Sequence, residues 1–399
     1  MSSKKNTIKI KRSKGRLYKK RKSKGRKVLE IIIMVLVVGV LGVVGYSAAG
    51  PLISYIRGDG SESVTTPWEP PESSTPDESD ASDTSDSESA DTIIQTAPDG
   101  SGAYLLPLTA LADQKALTNA LDQAERAGSS VVIVPVKDNE GHLLYSTQLS
   151  SVKGTDLVTG TMPAGLITST IKGRGFTSVK ALVPTLFDKT TSDYVDDMCY
   201  RFADDTYIWL DAAADKGGKH WNDPFRDGTR NYYNQLVREL TGSGFDEVLL
   251  SELRFPAFTG YDQTILDQRN FTATRYTALT SLYTAANSAA SNKAAVAVDI
   301  ADVLTGYGKS FTGTAEILSD KSFTGTVYLT VDLTDFGTTL PTSETAKINL
   351  PADPAQKAKT LVSRAAGYIG TNVTIVPVIE TAGLSPEALA KCYEALNGV

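Results

Sequence analysis

The chain is poor in the residues on which much enzyme chemistry rests. It holds two histidines, His142 and His220, in 399 residues. That removes most His-based metal sites and leaves little support for a Ser-His-Asp triad. It holds two cysteines, Cys199 and Cys392, so no disulfide scaffold and no CxxC zinc site can be built. Each stands beside a tyrosine in a helix-like context and reads as a buried thiol. No phosphate-cradling GxxxxGK[ST] segment occurs. Gly173-Arg174-Gly175 comes nearest to a dinucleotide fingerprint, but it precedes a strand instead of following one, and Ser178 stands where the third glycine belongs. No metal or cofactor is expected.

Charge is distributed unevenly. Lys4 to Lys27 carries 14 Lys and Arg and no acid, and Ile31 to Ala49 then runs 19 residues without a charge. About 20 apolar residues span a hydrocarbon core of roughly 30 Å as a helix. The basic flank stays cytoplasmic, so the rest of the chain is expected outside. A cleaved signal peptide is the rival, with Ser47-Ala48-Ala49 as a mimic of its cleavage site, but its apolar stretch is usually shorter. Asp59 to Asp91 holds 11 acidic residues among Ser, Thr and Pro, a composition that cannot offset the entropy of ordering and reads as an extended spacer. Thr92 to Val399 has 34 acidic and 25 basic residues, a net charge near −9 that argues against a nucleic-acid partner. The expected division is a basic tail (1–27), a transmembrane anchor (28–56), an acidic linker (57–98) and one folded domain (99–399).

In the folded region, short apolar runs alternate with helix-like segments. Strands are expected at Ala103–Leu108, Ser130–Lys137, Ser178–Phe187, Phe245–Leu253, Ala294–Ile300, Thr326–Leu333 and Asn372–Ile379. Helices are expected at Asp113–Ala127, from Asp223-Pro224 onward with Tyr232, Tyr233, Leu236, Val237 and Leu240 as its apolar stripe, at Asn270–Ala290, at Asp353–Tyr368 and from Ser385-Pro386. Near-continuous apolar strands separated by helices mean a parallel sheet covered on both faces. The order predicts an α/β fold of the (β/α)8 TIM-barrel type, incomplete because seven strands are countable instead of eight. A doubly wound open sheet is the alternative.

A barrel carries its site at the C-terminal ends of its strands. The carboxylates expected there are Asp138 and Glu140, Asp188, Glu252, Asp299, Asp332 and Asp335, and Glu380. Taken singly, each is more simply a solvated loop charge or a helix cap. As a cluster they fit glycoside hydrolysis, which needs two facing carboxylates. Asp299, Glu252 and Glu380 are the candidate catalytic residues. Trp209, Trp221, Tyr261 and Phe258 are candidate platforms for sugar rings.

One segment is more specific. Gly244-Phe245-Asp246-Glu247-Val248 runs through Leu249-Leu250-Ser251-Glu252-Leu253 to Arg254-Phe255-Pro256. It resembles the GFDEIQFDYVRFP block of a bacterial family of glycoside hydrolases with an amylase-like TIM barrel. Val134 to Gly141 is similar to that family's IDVKDxxG, Phe187-Asp188-Lys189 to its FKD turn, Val298-Asp299 to its fifth-strand V-D, and Trp209-Leu210-Asp211 with Trp221 to Tyr232 to its W…DPY…Y region. The likeness covers roughly residues 102 to 300. It implies a carbohydrate substrate and adds Lys137, Asp138 and Arg254 as candidate binding residues. Arg254 is expected at the rim, paired with Asp299.

The departures bear on activity. Ser251 stands where the family has the acid of FDYVRFP, Pro135 where it has the acid of IDVKD, and Leu182 where it has a third-strand arginine. The family's PMxYPS motif is not visible in Tyr328 to Phe336. Glu252 adjoins the lost acid, but alternation along a strand aims it away unless a bulge re-aims it. The reading is a membrane-anchored, extracytoplasmic glycoside-hydrolase-like protein acting on cell-envelope or extracellular polysaccharide. Its rivals are a degenerate barrel that binds glycan without cleaving it and a structural surface protein. Ser251 predicts weak or absent hydrolysis with binding retained.

Overall fold

The computed structural model describes Ile94, residues 102–381 and residues 383–397. The basic tail, the apolar run and nearly all of the linker lie outside the described residues. Among the described residues no helix is long and apolar enough to cross a membrane.

Seven parallel strands form one sheet in sequence order: β1 (Ala103–Leu105), β2 (Val131–Pro135), β3 (Ser178–Pro184), β4 (Glu247–Ser251), β5 (Ala294–Asp299), β6 (Gly325–Val331) and β7 (Val373–Ile379). Between them lie α1 (Gln114–Arg126), α2 (Ala164–Gly173), α3 (Asp227–Gly242), α4 (Thr274–Ala289) and α5 (Pro354–Ile369), and α6 (Pro386–Leu396) closes the chain. Parallel strands in unbroken order with helices outside make a nearly closed, TIM-like α/β barrel. The open-sheet alternative fails because the order never reverses and the outer strands β1 and β7 come together.

Their seam is closed by a side chain. Tyr393 of α6 accepts a hydrogen bond from the Ile379 amide at 3.0 Å and donates one to the Ala103 carbonyl at 2.6 Å. Its ring fits only because residue 102 is glycine, since a Cβ there would fall 1.9 Å from the ring. Along this same seam edge, the one not paired to β6, β7 takes a single parallel bridge from Ile94 to Ile375. Seven strands and a tyrosine therefore stand where eight strands are usual.

Helix ends follow their local chemistry. Asp113, Asp353 and Ser385 accept from the amides of Ala116, Gln356 and Ala388, and the last two are followed by proline at the first helical position. The expected start at Asp223 is corrected: α3 begins four residues later. The Asp223 carboxylate turns onto the Phe225 amide in a local turn and is buried. The predicted stripe of α3 is buried as expected. The helix expected from Asn270 starts at Thr274, after a separate turn over Gln268–Phe271. Helix α2 was hidden in sequence, because its apolar positions are few and Pro163 supplies no side-chain cap. Both cysteines are buried thiols, but Cys199 lies in an extended bridge to Asn222 and not in a helix.

The strands bury their helix-facing sides fully. In β3 Val179, Ala181 and Val183 are buried, while the inward-facing Lys180 and Leu182 are only half-buried. A compact apolar plug, including Ile133, Leu249, Ala295, Ala297 and Val378, fills the barrel's middle. Cavities lie above and below it.

Candidate active site

The upper cavity, at the C-terminal ends of the strands, has a volume of about 810 Å³, within the usual range for ligand sites. Glu252, Asp299 and Glu380 line it together with Lys137, Asp138, Ser251, Thr314 and Thr330. Three strand ends, those of β4, β5 and β7, thus bring the three candidate acids to one place.

Asp299 is the last residue of β5 and the cap of the helical turn that follows, Oδ1 accepting from the Ala301 amide at 2.8 Å. Its own amide donates to Thr314 Oγ1, which in turn donates to Asp302 Oδ2. Burial pushes the Asp299 carboxyl up to about 6, and Asp335, Asp302 and Asp332 push the same way. Glu380 is also raised, first by burial and then by Asp332, Asp299 and Asp335. Mutually repelling, partly desolvated carboxylates bind their protons more tightly than solvated ones, which suits a proton donor.

Glu252 lies one residue past β4 instead of within it. Its φ is +52°, in the left-handed region that non-glycine residues seldom adopt. The peptide still follows the barrel, since its carbonyl accepts from the Leu186 amide. The left-handed turn does what a bulge would do and brings Glu252 to the cavity that simple alternation denies it. Arg254 grips it, Nε to Oε2 at 2.5 Å. The expected pairing of Arg254 with Asp299 is therefore corrected. The guanidinium is itself fixed over the rings of Trp221 and Phe187, at 5.1 and 5.4 Å.

The remaining candidates are placed differently. Lys137 borders the cavity, but its ammonium is wholly buried against Asp188 at 2.7 Å and the Pro184 carbonyl at 2.9 Å. Burial alone would raise the Asp188 carboxyl, yet Lys137 outweighs it and holds the group low. Gly141 is required beside this pair, since a Cβ there would meet Asp188 Oδ1 at 2.3 Å. The Lys137-to-Gly141 and Phe187-Asp188-Lys189 segments thus meet in a buried staple. Asp138 orders its own loop through the Glu140 and His142 amides. Trp209 and Trp221 are 4% and 5% exposed, their indole N–H groups donating to Asp262 and Asp211. They pack the loop lobe and offer no open face, contrary to the expected platform role. Phe258 packs with Trp209, Tyr200 and Phe271 in the same lobe. Tyr261 is 68% exposed, outside the cavity lining.

Pro135, Leu182 and Ser251 all line the cavity. Pro135 and Leu182 are register partners, and Ser251 pairs with Pro184 one step further round. The three departures from the family pattern therefore fall on one wall, which is apolar or neutral. Thr314 was not legible, because nothing in its local sequence ties it to a strand end 15 residues away.

A family model described as "Putative glycosyl hydrolase domain" matches residues 102–314. No curated protein matches the sequence. Among solved structures, the chain is similar to a hypothetical protein from Ruminiclostridium thermocellum at 15% identity and a TM-score of 0.41, covering 48% of this chain and 96% of that one. It is similar to an exo-β-N-acetylglucosaminidase from Vibrio harveyi at 10% identity and a TM-score of 0.40, covering 74% and 56%. The glycoside hydrolase domain of PelA from Pseudomonas aeruginosa aligns at 11% identity and a TM-score of 0.33, covering 71% and 94%.

Proposed function

The chain belongs to the family described as "Putative glycosyl hydrolase domain", and from that premise we propose that its upper cavity hydrolyses a glycosidic bond of a polysaccharide. The observation that carries this reading is the gathering of Asp299, Glu380 and Glu252 in one cavity, with the first two held toward their protonated forms. Asp299 is the proton donor to the leaving oxygen. Glu252, ion-paired to Arg254, is the second carboxylate and stands in for the acid replaced by Ser251, while burial and the charges of Asp335, Asp302 and Asp332 favour the proton on Asp299. Hydrolysis of this kind needs no metal.

We further propose that the domain is held outside the cell by the apolar run at Ile31 to Ala49, with the basic tail inside and the acidic linker as spacer. That setting points to cell-envelope or nearby extracellular glycan as substrate. The support is the charge pattern of the sequence.

A second reading rests on the neutral wall of Pro135, Leu182 and Ser251, which favours a barrel that binds glycan without cleaving it. Turnover of a polysaccharide panel by the full chain and by Asp299→Ala separates the two. Hydrolysis lost in the variant supports the first reading. Binding by both with turnover by neither supports the second.

A further inference from the structure

The barrel also opens at its lower end, where the strands begin. There a cavity of about 490 Å³ is bordered by Lys180, Glu247, Thr326, Tyr328 and Lys293. The apolar plug lies between it and the acids of the upper mouth. Lys180 and Glu247 are register partners on β3 and β4, so their side chains emerge on the same inner face. Lys180 Nζ reaches Glu247 Oε2 at 2.8 Å, and the Tyr328 hydroxyl, from β6, donates to the same oxygen at 2.6 Å. Barrel interiors are ordinarily filled with branched apolar side chains. An ion pair there is costly, and well-packed apolar replacements are often neutral or stabilising. Packing therefore does not account for this cluster.

The cluster is also unsaturated. Both donors converge on Oε2, while Glu247 Oε1 accepts from no group among the described residues. An ammonium has three donors, and Lys180 spends one on Glu247. At the rim, the Lys293 ammonium has no acidic partner among the described residues, and Asp246 is paired with Lys172. The lining charges Lys180, Lys293, Asp246 and Glu247 cancel. A cavity with balanced charge, spare donors, a spare acceptor and apolar patches at Ala103, Val131 and Val376 suits a molecule whose groups both donate and accept. An ion would meet only the rim charge of Lys293, since the inner Lys180–Glu247 pair carries no net charge.

We propose that this lower cavity binds a neutral polyhydroxyl molecule of mono- or disaccharide size, with Glu247 as acceptor and Lys180 as donor. The proposal does not depend on hydrolysis at the upper mouth. The test is thermal unfolding of the full chain in the presence of glucose, N-acetylglucosamine, cellobiose or myo-inositol, with glycine as a zwitterionic probe and inorganic phosphate as an anionic one. A ligand that binds only the folded state raises Tm as its concentration passes Kd. At least one polyol should raise Tm by several degrees at saturation. The double variant Lys180→Met, Glu247→Leu replaces the pair by apolar groups of similar volume and should fold. Titrating the shift should show binding weakened about tenfold or more in it, and in Tyr328→Phe to a lesser degree. Asp299→Ala should keep the shift even though it loses hydrolysis. No shift with any polyol, a response to glycine or phosphate alone, or a shift that survives in the double variant and vanishes in Asp299→Ala would overturn the proposal.

Discussion

At the scale of single residues, function and stability pull against each other at Asp299. Its folded pKa of about 6 lies above the ordinary aspartate value of about 3.9. The native state therefore holds this proton more tightly than the unfolded chain does. The stabilisation is complete below about pH 4 and is lost as pH rises through about 6. Asp299→Asn keeps an oxygen to cap Ala301 and removes the cost of the buried charge. We expect it to raise stability at neutral pH by on the order of 1 kcal/mol after solvent screening, with no gain below about pH 4, in chemical denaturation followed against pH. Ser251 invites the opposite trade. Ser251→Asp restores the family's acid on the neutral wall and should raise turnover about tenfold or more while destabilising the fold, as steady-state kinetics and melting would show. Both acids could be nominated from sequence because each follows an apolar strand run. The left-handed turn at Glu252 could not, because Leu253, Arg254 and Phe255 give no local signal of it.

At the scale of elements, the seam between β1 and β7 depends on one hydroxyl. Tyr393→Phe leaves a buried Ile379 amide and a buried Ala103 carbonyl without their partner. Each such orphan costs about 1–3 kcal/mol. We therefore expect Tyr393→Phe to destabilise by roughly 2–6 kcal/mol, more than loss of a hydroxyl usually costs, with early hydrogen exchange at Ile379. All seven strands were legible from their apolar runs, and several ends were overestimated by a few residues where apolar side chains continue into the loops. The seam was not legible. Tyr393 lies 290 positions from Ala103, and its role appears only when α6 docks. The start of α3 was misplaced because Asp223-Pro224 carries a helix-start pattern that tertiary burial of Asp223 overrides.

At the scale of the whole molecule, burial raises several carboxyls together: Asp223, Asp299, Glu316, Asp335 and Glu380. Two buried acids move down against their burial: Asp188 under Lys137, and Asp262 under its bonds from Thr259 and Trp209. The domain should lose stability as pH rises through the window from about 4 to 6. The fold class was legible because alternation of strand and helix leaves few architectures. The gathering of the acids was legible in outline, because parallel strands deliver their C-terminal ends to one rim. Which aromatics face solvent was not, since Trp209 and Trp221 look alike in sequence whether packed or open. Topology rests on the charge pattern of the first 57 residues. Protease added to intact cells should digest the domain and leave the basic tail, and a protected domain would refute the orientation.

The central claim is that a carboxyl whose proton affinity is raised, with a pKa of about 6, donates a proton at the upper mouth. Its most direct test is turnover of a polysaccharide panel by the full chain between about pH 4 and pH 8, beside Asp299→Ala. The account predicts hydrolysis that declines as pH rises through about 6, following the Asp299 carboxyl, and none above background in the variant. Equal turnover by Asp299→Ala, or intact glycan binding with no turnover by the unmodified chain at any pH, would contradict it.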